Sequence, residues 1–359
     1  MIDVFPKYKA AVIHAAPVFM DKDKSVEKAC GLIQEAAKKG ASIAVFGEGF
    51  IPGYPLWSMV NPPYAIHELF LTLYRNACSI PGPEIDCIRS AAKKAGVFVS
   101  LGVNEKKKTS PGTLWAANLL IDPNGRIIAH HQKLVPTYAE KLVWSNGCSR
   151  GLSVSSTNLG SIGALICGEN TNPLARFALL AQGEQIHLSS YPPAWPFKDV
   201  GAKDEYDPCR ANEIRAAAHA FEGKVFNVVA CSVCDELTIE KSALSDKARE
   251  LIERTPKPAS MVIGPAGNII SGPVTGDKEE ILIADIDLEK SIIEKQAHDI
   301  TGGYNRFDVF TLHLCRNPLD SLKITDGGTP EEPLDPSNEE PAGENIHASC
   351  ESDMLREIR

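Results

Sequence analysis

No apolar run in the 359-residue chain approaches the roughly 20 residues that a helix needs to cross a bilayer. The first residues, Met1-Ile2-Asp3-Val4-Phe5-Pro6-Lys7, carry neither the basic nor the apolar segment of a secretory signal, so a cytoplasmic location is expected. There is no internal repeat. A basic stripe is also missing. Eleven acidic and three basic residues fall between Asp320 and Arg359, which leaves 34 basic against 35 acidic in the preceding 319. That near-neutral body excludes nucleic acid as the expected partner. The ten cysteines are scattered, as suits thiols in a reducing compartment. One pair, Cys231 and Cys234, has CxxC spacing, but no second pair or nearby histidine completes a tetrahedral zinc site. It reads as a strand end, following the apolar run 225–230.

What remains, at 43% hydrophobic and 23% charged, has the composition of a globular protein with a substantial core. Strand and helix patterns alternate along it. Residues 10–15 and 42–46 read as strands around a helix over 25–39. Val26, Ala29, Leu32, Ile33 and Ala36 line one face of that helix, and Gly40 sits just past its end. Helices are predicted over 64–76 and 83–94, with a strand over 97–103. A hairpin over 114–121 and 126–130 turns at Asp122-Pro123-Asn124-Gly125. A strand over 161–166, a helix over 173–182 and a strand over 185–189 follow. Next come a helix over 213–222, a strand over 225–230 and a second hairpin over 261–270. A strand over 281–286 and a helix over 288–296 complete the pattern. This alternation, with hairpins, argues an α/β layered domain with mixed sheets. Beyond residue 316 the composition turns to Pro, Glu, Asp, Gly and Asn, so 317–359 reads as an acidic, flexible tail.

Three strand ends carry reactive residue types. Glu48 follows Ala44-Val45-Phe46-Gly47, Lys133 follows Ile127 to Gln132, and Cys167 follows the apolar run 162–166 just before a helix start. At a strand tip, the N–H groups of the next turn lower a thiol's pKa and hold an oxyanion. If those ends converge, the carboxylate takes the thiol proton, the thiolate attacks an electrophilic carbon, and the ammonium stabilises the charge that develops. His130 and His131 read as strand residues rather than metal ligands. Asn118 and Glu105 read as loop-holding residues.

The stretches Phe46-Gly47-Glu48-Gly49-Phe50-Ile51-Pro52-Gly53-Tyr54-Pro55, His131-Gln132-Lys133-Leu134-Val135-Pro136-Thr137-Tyr138-Ala139-Glu140 and Cys167-Gly168-Glu169-Asn170 stand in that order. With them the chain resembles the nitrilase branch of the carbon–nitrogen hydrolase superfamily, over about residues 8–314. The resemblance implies a four-layer αββα sandwich over 1–316 that self-associates as a homodimer or a larger spiral. It implies Glu48 as general base, Lys133 as charge stabiliser, Cys167 as nucleophile and Glu140 as a positioning glutamate beside the lysine. Tyr54, Tyr138, Gly168, Glu169, Asn170, His187 and Trp195 are the expected substrate-binding residues. The implied reaction takes a small organic nitrile to the carboxylic acid and ammonia, with no metal or organic cofactor. The alternatives are an amidase with the same residues, an enzyme that stops at the amide, or a scaffold without activity. Asn170 with Asn172-Pro173-Leu174 favours the nitrile reading over the amide one. Gly168 and Gly303 depart from the bulkier tryptophan and the histidine common in the family. They put substrate preference, not chemistry, in question.

Overall fold

Residues 5–197 and 206–316 are described by the computed structural model, and the expected acidic tail lies outside them. The strands are β1 (Lys7–His14), β2 (Ala41–Phe46), β3 (Phe98–Lys106), β4 (Leu114–Ile121), β5 (Ile127–Gln132), β6 (Ser155–Thr157), β7 (Gly160–Ile166), β8 (Ile186–Tyr191), β9 (Phe226–Cys231), β10 (Ala259–Ile263), β11 (Ile269–Thr275) and β12 (Glu280–Asp287). They form two six-stranded sheets, in the orders β12-β1-β2-β3-β4-β5 and β11-β10-β9-β8-β7-β6. Both sheets are mixed. β1, β2 and β3 run parallel, as do β7, β8 and β9, and antiparallel strands flank each group.

The central strands are apolar on both faces because both faces are covered. Along β1, side chains alternate. Ala11 and Ile13 join Val26, Ala29 and Ile33 of the helix Lys22–Lys38, together with Ile85 and Ile88 of the helix Pro83–Ala95. Ala10 and Val12 point the other way, into a core shared with Leu188, Val228 and Val262 of the second sheet. That sheet's outer face is closed by Ala216 and Ala220 of the helix Pro208–Gly223 and by Ala175, Ala178 and Leu179 of the helix Pro173–Leu180. The layers are therefore helix, sheet, sheet, helix, the expected αββα sandwich.

Local signals act as expected at most boundaries. Asp21 caps Lys22–Lys38 by accepting from the Lys24 N–H at 3.0 Å. In the first hairpin, Asp122 Oδ1 accepts from the N–H groups of Asn124 and Arg126, both at 2.9 Å. The predicted helix over 64–76 is instead a short 3₁₀ turn, Pro63–Ala65, followed by the helix His67–Asn76, because Ile66 (ψ 4°) breaks the helical run. Two helices without a sequence expectation, Glu236–Ser242 and Asp246–Arg254, start at side-chain caps from Asp235 and Ser245. None of the described helices is long and apolar enough to cross a membrane.

The inter-sheet core gives a direct stability test. Leu188 is buried there, whereas Leu174 is largely exposed on the outer helix. Leu188→Ala should lower the urea-unfolding free energy by about 2–5 kcal/mol, and Leu174→Ala by no more than about 0.5 kcal/mol. Equal losses would mean that the sheets do not share this core.

Candidate active site

The loop that carries Glu48 passes through a gap too narrow for a side chain. A Cβ on Gly47 would lie 2.4 Å from Ser232 Oγ, and one on Gly102 would lie 2.2 Å from the Gly47 carbonyl. Glycine at both places lets the end of β2 press against β3 and against the chain just after β9. The Glu48 N–H then donates to the Tyr191 carbonyl at 3.1 Å, tying the end of β2 to the end of β8 across the two sheets.

Lys133, directly after β5, lies between two carboxylates. Its Nζ donates to Glu48 Oε1 at 2.7 Å and to Glu140 Oε2 at 2.6 Å. All three side chains are at most 1% exposed. Glu140 is thus a core residue of the 3₁₀ turn Tyr138–Leu142 and not a surface neighbour of Lys141. It also accepts from the Thr137 N–H at 2.6 Å and the Tyr54 hydroxyl at 2.8 Å. The Trp144 ring lies under the ammonium, 5.6 Å from Nζ, and its indole N–H is fixed on Asn104.

Cys167 opens the 3₁₀ turn Cys167–Thr171 with φ at +51°, a left-handed conformation that costs a non-glycine residue energy. Its sulfur and one carboxylate oxygen each from Glu48 and Glu140 lie within 4.8 Å of one another. Glu48 Oε2 is buried without a hydrogen-bond partner among the described residues, so the carboxylate that reaches the thiol has one oxygen unspent. Burial, against the attraction of Lys133, pushes Glu48 up to about 8. Burial and then the Glu48 charge push the thiol well above its usual range. Proton affinity is thus raised on both partners.

Asn170 holds the strained turn from behind. Its amide N–H₂ donates to the carbonyls of Cys167 at 3.0 Å and Leu165 at 3.3 Å, while its oxygen faces His187 Nε2 at 2.8 Å and Ser189 Oγ at 3.0 Å. His187 Nδ1 and His219 Nε2 each lie 2.7 Å from an oxygen of the buried Glu184. Glu184, His187 and His219 have metal-ligating atoms in mutual reach, but their facing atoms are already spent on one another. Glu169 is similarly occupied: it lies 2.8 Å from His131 and accepts from the N–H groups of Leu134 and Ile166. His130 is paired with Glu105. Both strand histidines therefore meet carboxylates that sequence spacing does not reveal.

A cavity of about 240 Å³ reaches the thiol from the other side. Of the expected binding residues, Tyr138, Gly168 and Trp195 line it, whereas Tyr54, Glu169, Asn170 and His187 do not. A Cβ on Gly168 would lie 2.8 Å from Thr137 Oγ1, so the threonine occupies the side that a larger residue would need. Sequence reasoning missed Thr137, Tyr191, Asn212 and Arg215 in the cavity wall and Trp144 beneath the lysine. Thr137 stands inside a quoted motif; the others carry no local signal.

Residues 9–292 match the family described as carbon-nitrogen hydrolase. With the two-sheet sandwich, this makes the protein a hydrolase of carbon–nitrogen bonds other than peptide bonds. The chain is similar to an aliphatic nitrilase of Rhodococcus rhodochrous, 30% identical over 90% of this chain and 83% of that one. It is similar to a nitrilase of Talaromyces marneffei at 33%, over 88% and 97%. Among solved structures, the C. elegans NitFhit protein shares the fold, with a TM-score of 0.66 and 18% identity over 88% of this chain and 69% of that one. The chain belongs to the carbon–nitrogen hydrolase family, and within it to the nitrilase branch.

The buried Glu184 cluster makes stability depend on acid. Burial and the adjacent His187 push His219 from its usual 6.5 down to about 4. Burial alone would raise Glu184, but the two imidazoles outweigh it and hold the carboxyl at about 2, against the usual 4.5. In both cases the unfolded chain takes up the proton first, so stability falls as pH drops from 6.5 through 4 and on towards 2. Replacing His219 by Gln should make the slope of unfolding free energy between pH 6.5 and 4 shallower by up to one proton, about 1.4 kcal/mol per pH unit. An unaltered slope in urea titrations would show that His219 does not titrate in this way.

Proposed function

We propose that the protein hydrolyses a small organic nitrile to the carboxylic acid and ammonia through a covalent bond to Cys167. The observation that carries the reading is a Glu48 carboxylate within 4.8 Å of the Cys167 sulfur, on a backbone at φ +51°, with one of its oxygens unpartnered among the described residues and Lys133 bonded to both glutamates. Membership of the nitrilase branch supplies the electrophile.

Glu48 takes the thiol proton, and its raised proton affinity makes it a stronger base than an exposed carboxylate. The thiolate adds to the nitrile carbon, and a proton returned by Glu48 to nitrogen gives a neutral thioimidate. Water, deprotonated by Glu48, adds to that carbon. The amine of the tetrahedral intermediate is then protonated and leaves as ammonia, giving a thioester. A second water hydrolyses the thioester and restores the thiol. Two waters are consumed, and no electrons leave the system. Lys133 supplies fixed positive charge beside the attacked carbon throughout. Glu140 and Tyr54 hold that lysine in place. Gly168 and Tyr138 bound the space for the substituent. The reading includes a cytoplasmic homo-oligomer, whose size light scattering on the full chain measures.

Cys167→Ala should abolish ammonia release from a panel of aliphatic, aryl and arylacetic nitriles, measured beside the matching amides. Turnover that persists in this variant excludes the covalent route, and faster release from the amides makes the protein an amidase. A base with a raised pKa works only above it. kcat/KM should therefore climb with pH along a limb centred at about 8. A flat profile between pH 6 and 9 would remove Glu48 from the role of base.

A further inference from the structure

The cavity at Cys167 contains a cation that has no counter-ion among the described residues. Arg215, half-buried on the helix Pro208–Gly223, lines it together with Tyr138, Trp195 and Tyr206. Its Nε donates to Thr171 Oγ1 at 2.8 Å, Nη1 to Asn212 Oδ1 at 3.2 Å and Nη2 to the Tyr206 hydroxyl at 3.0 Å. All three acceptors are neutral. No carboxylate of the described residues lies within ion-pair distance of Arg215, although Arg210 of the same helix pairs with Glu213, and Arg176 pairs with Glu222. A guanidinium has five N–H donors, so two have no partner among the described residues.

A charge drawn partly out of water beside aromatic walls, without an opposite charge, is costly to keep. Lys133 cannot serve a ligand's anion, because Glu48 and Glu140 already hold it. The guanidinium is also fixed relative to the thiol. Thr171, on which Nε rests, closes the 3₁₀ turn that Cys167 opens. Such a turn rises about 2 Å per residue, so the backbones of Cys167 and Thr171 stand on the order of 8 Å apart along it, and the guanidinium rests at the far end. The cavity is smaller than the roughly 300–1,000 Å³ of drug-sized sites.

We propose that Arg215 is the subsite for a carboxylate, and that the preferred substrates are small cyano acids in which a short chain or one ring separates the nitrile from that carboxylate. This deepens the nitrilase reading and rests on it. The planar guanidinium offers a carboxylate its two free donors while Thr171, Asn212 and Tyr206 fix its plane. The aromatic walls cover the spacer.

The test compares kcat/KM for para-cyanobenzoate and cyanobutanoate with kcat/KM for their methyl esters. A charge-assisted bond of this kind should favour each acid over its ester by about tenfold or more. In Arg215→Met that ratio should fall towards one, and Arg215→Lys should recover part of it. A wild-type ratio of one or less, or a ratio unaltered in Arg215→Met, overturns the subsite. A second measurement needs neither turnover nor a folded variant. Benzoate should slow alkylation of Cys167 by iodoacetamide, followed by peptide mass spectrometry, and benzyl alcohol at the same concentration should not; equal protection overturns the proposal. Hydrolysis of neutral nitriles but of no cyano acid would sink this inference alone. Benzoate protection in a protein that hydrolyses no nitrile would sink the nitrilase reading and leave the anion subsite standing.

Discussion

Lys133 is a cation taken almost wholly out of water, and the site is arranged around that fact. Two carboxylates compensate it, at 2.7 and 2.6 Å, and one of them is compensated in turn by Tyr54 and the Thr137 N–H. Such a group adds little net stability, because the cost of desolvating three charges offsets their attraction. Removing the lysine, however, would leave the two buried carboxylates uncompensated, at a cost of about 3–5 kcal/mol. The arrangement therefore specifies geometry more than it stabilises the fold. It fixes the position of Glu48, whose second oxygen has no partner among the described residues.

Two further layers depend on the same centre. On one side, Asn170 and the buried Glu184 cluster hold the carbonyls around Cys167, so its strained backbone has fixed partners. On the other side, the cavity brings aromatic walls and an arginine to the same sulfur. The charged cluster and the cavity wall thus come largely from different elements. The chain just after β2, β5 and β7 carries Glu48, Lys133 and Cys167, and the helix Pro208–Gly223 brings Asn212 and Arg215 to the cavity wall.

The sandwich, and the strand ends that meet at the candidate site, were readable because they rest on local patterns. Apolar runs of strand length, amphipathic helix spacing and turn residues marked most elements within a few positions, and Glu48, Lys133 and Cys167 stood at strand ends. The helices after Cys234 escaped notice because their buried faces are short and polar residues dominate them; only their caps announce them. Partnerships across the fold were invisible for another reason. Glu105 with His130, Glu169 with His131 and Glu184 with His219 join residues 25 to 38 positions apart, brought together by sheet register and helix packing. Gly168 shows the same limit, since its consequence depends on the Thr137 hydroxyl that faces it.

The bond from the Glu48 N–H to the Tyr191 carbonyl, and the glycine passage beside Ser232, join one sheet to the other at the base of the site. Neither sheet alone contains the assembled centre: Glu48 and Lys133 extend from the first, Cys167 from the second. The Glu48 carboxylate and the Cys167 thiol therefore meet only where the two sheets are docked, and any change that shifts one sheet against the other alters their separation before it alters either sheet's own hydrogen bonds.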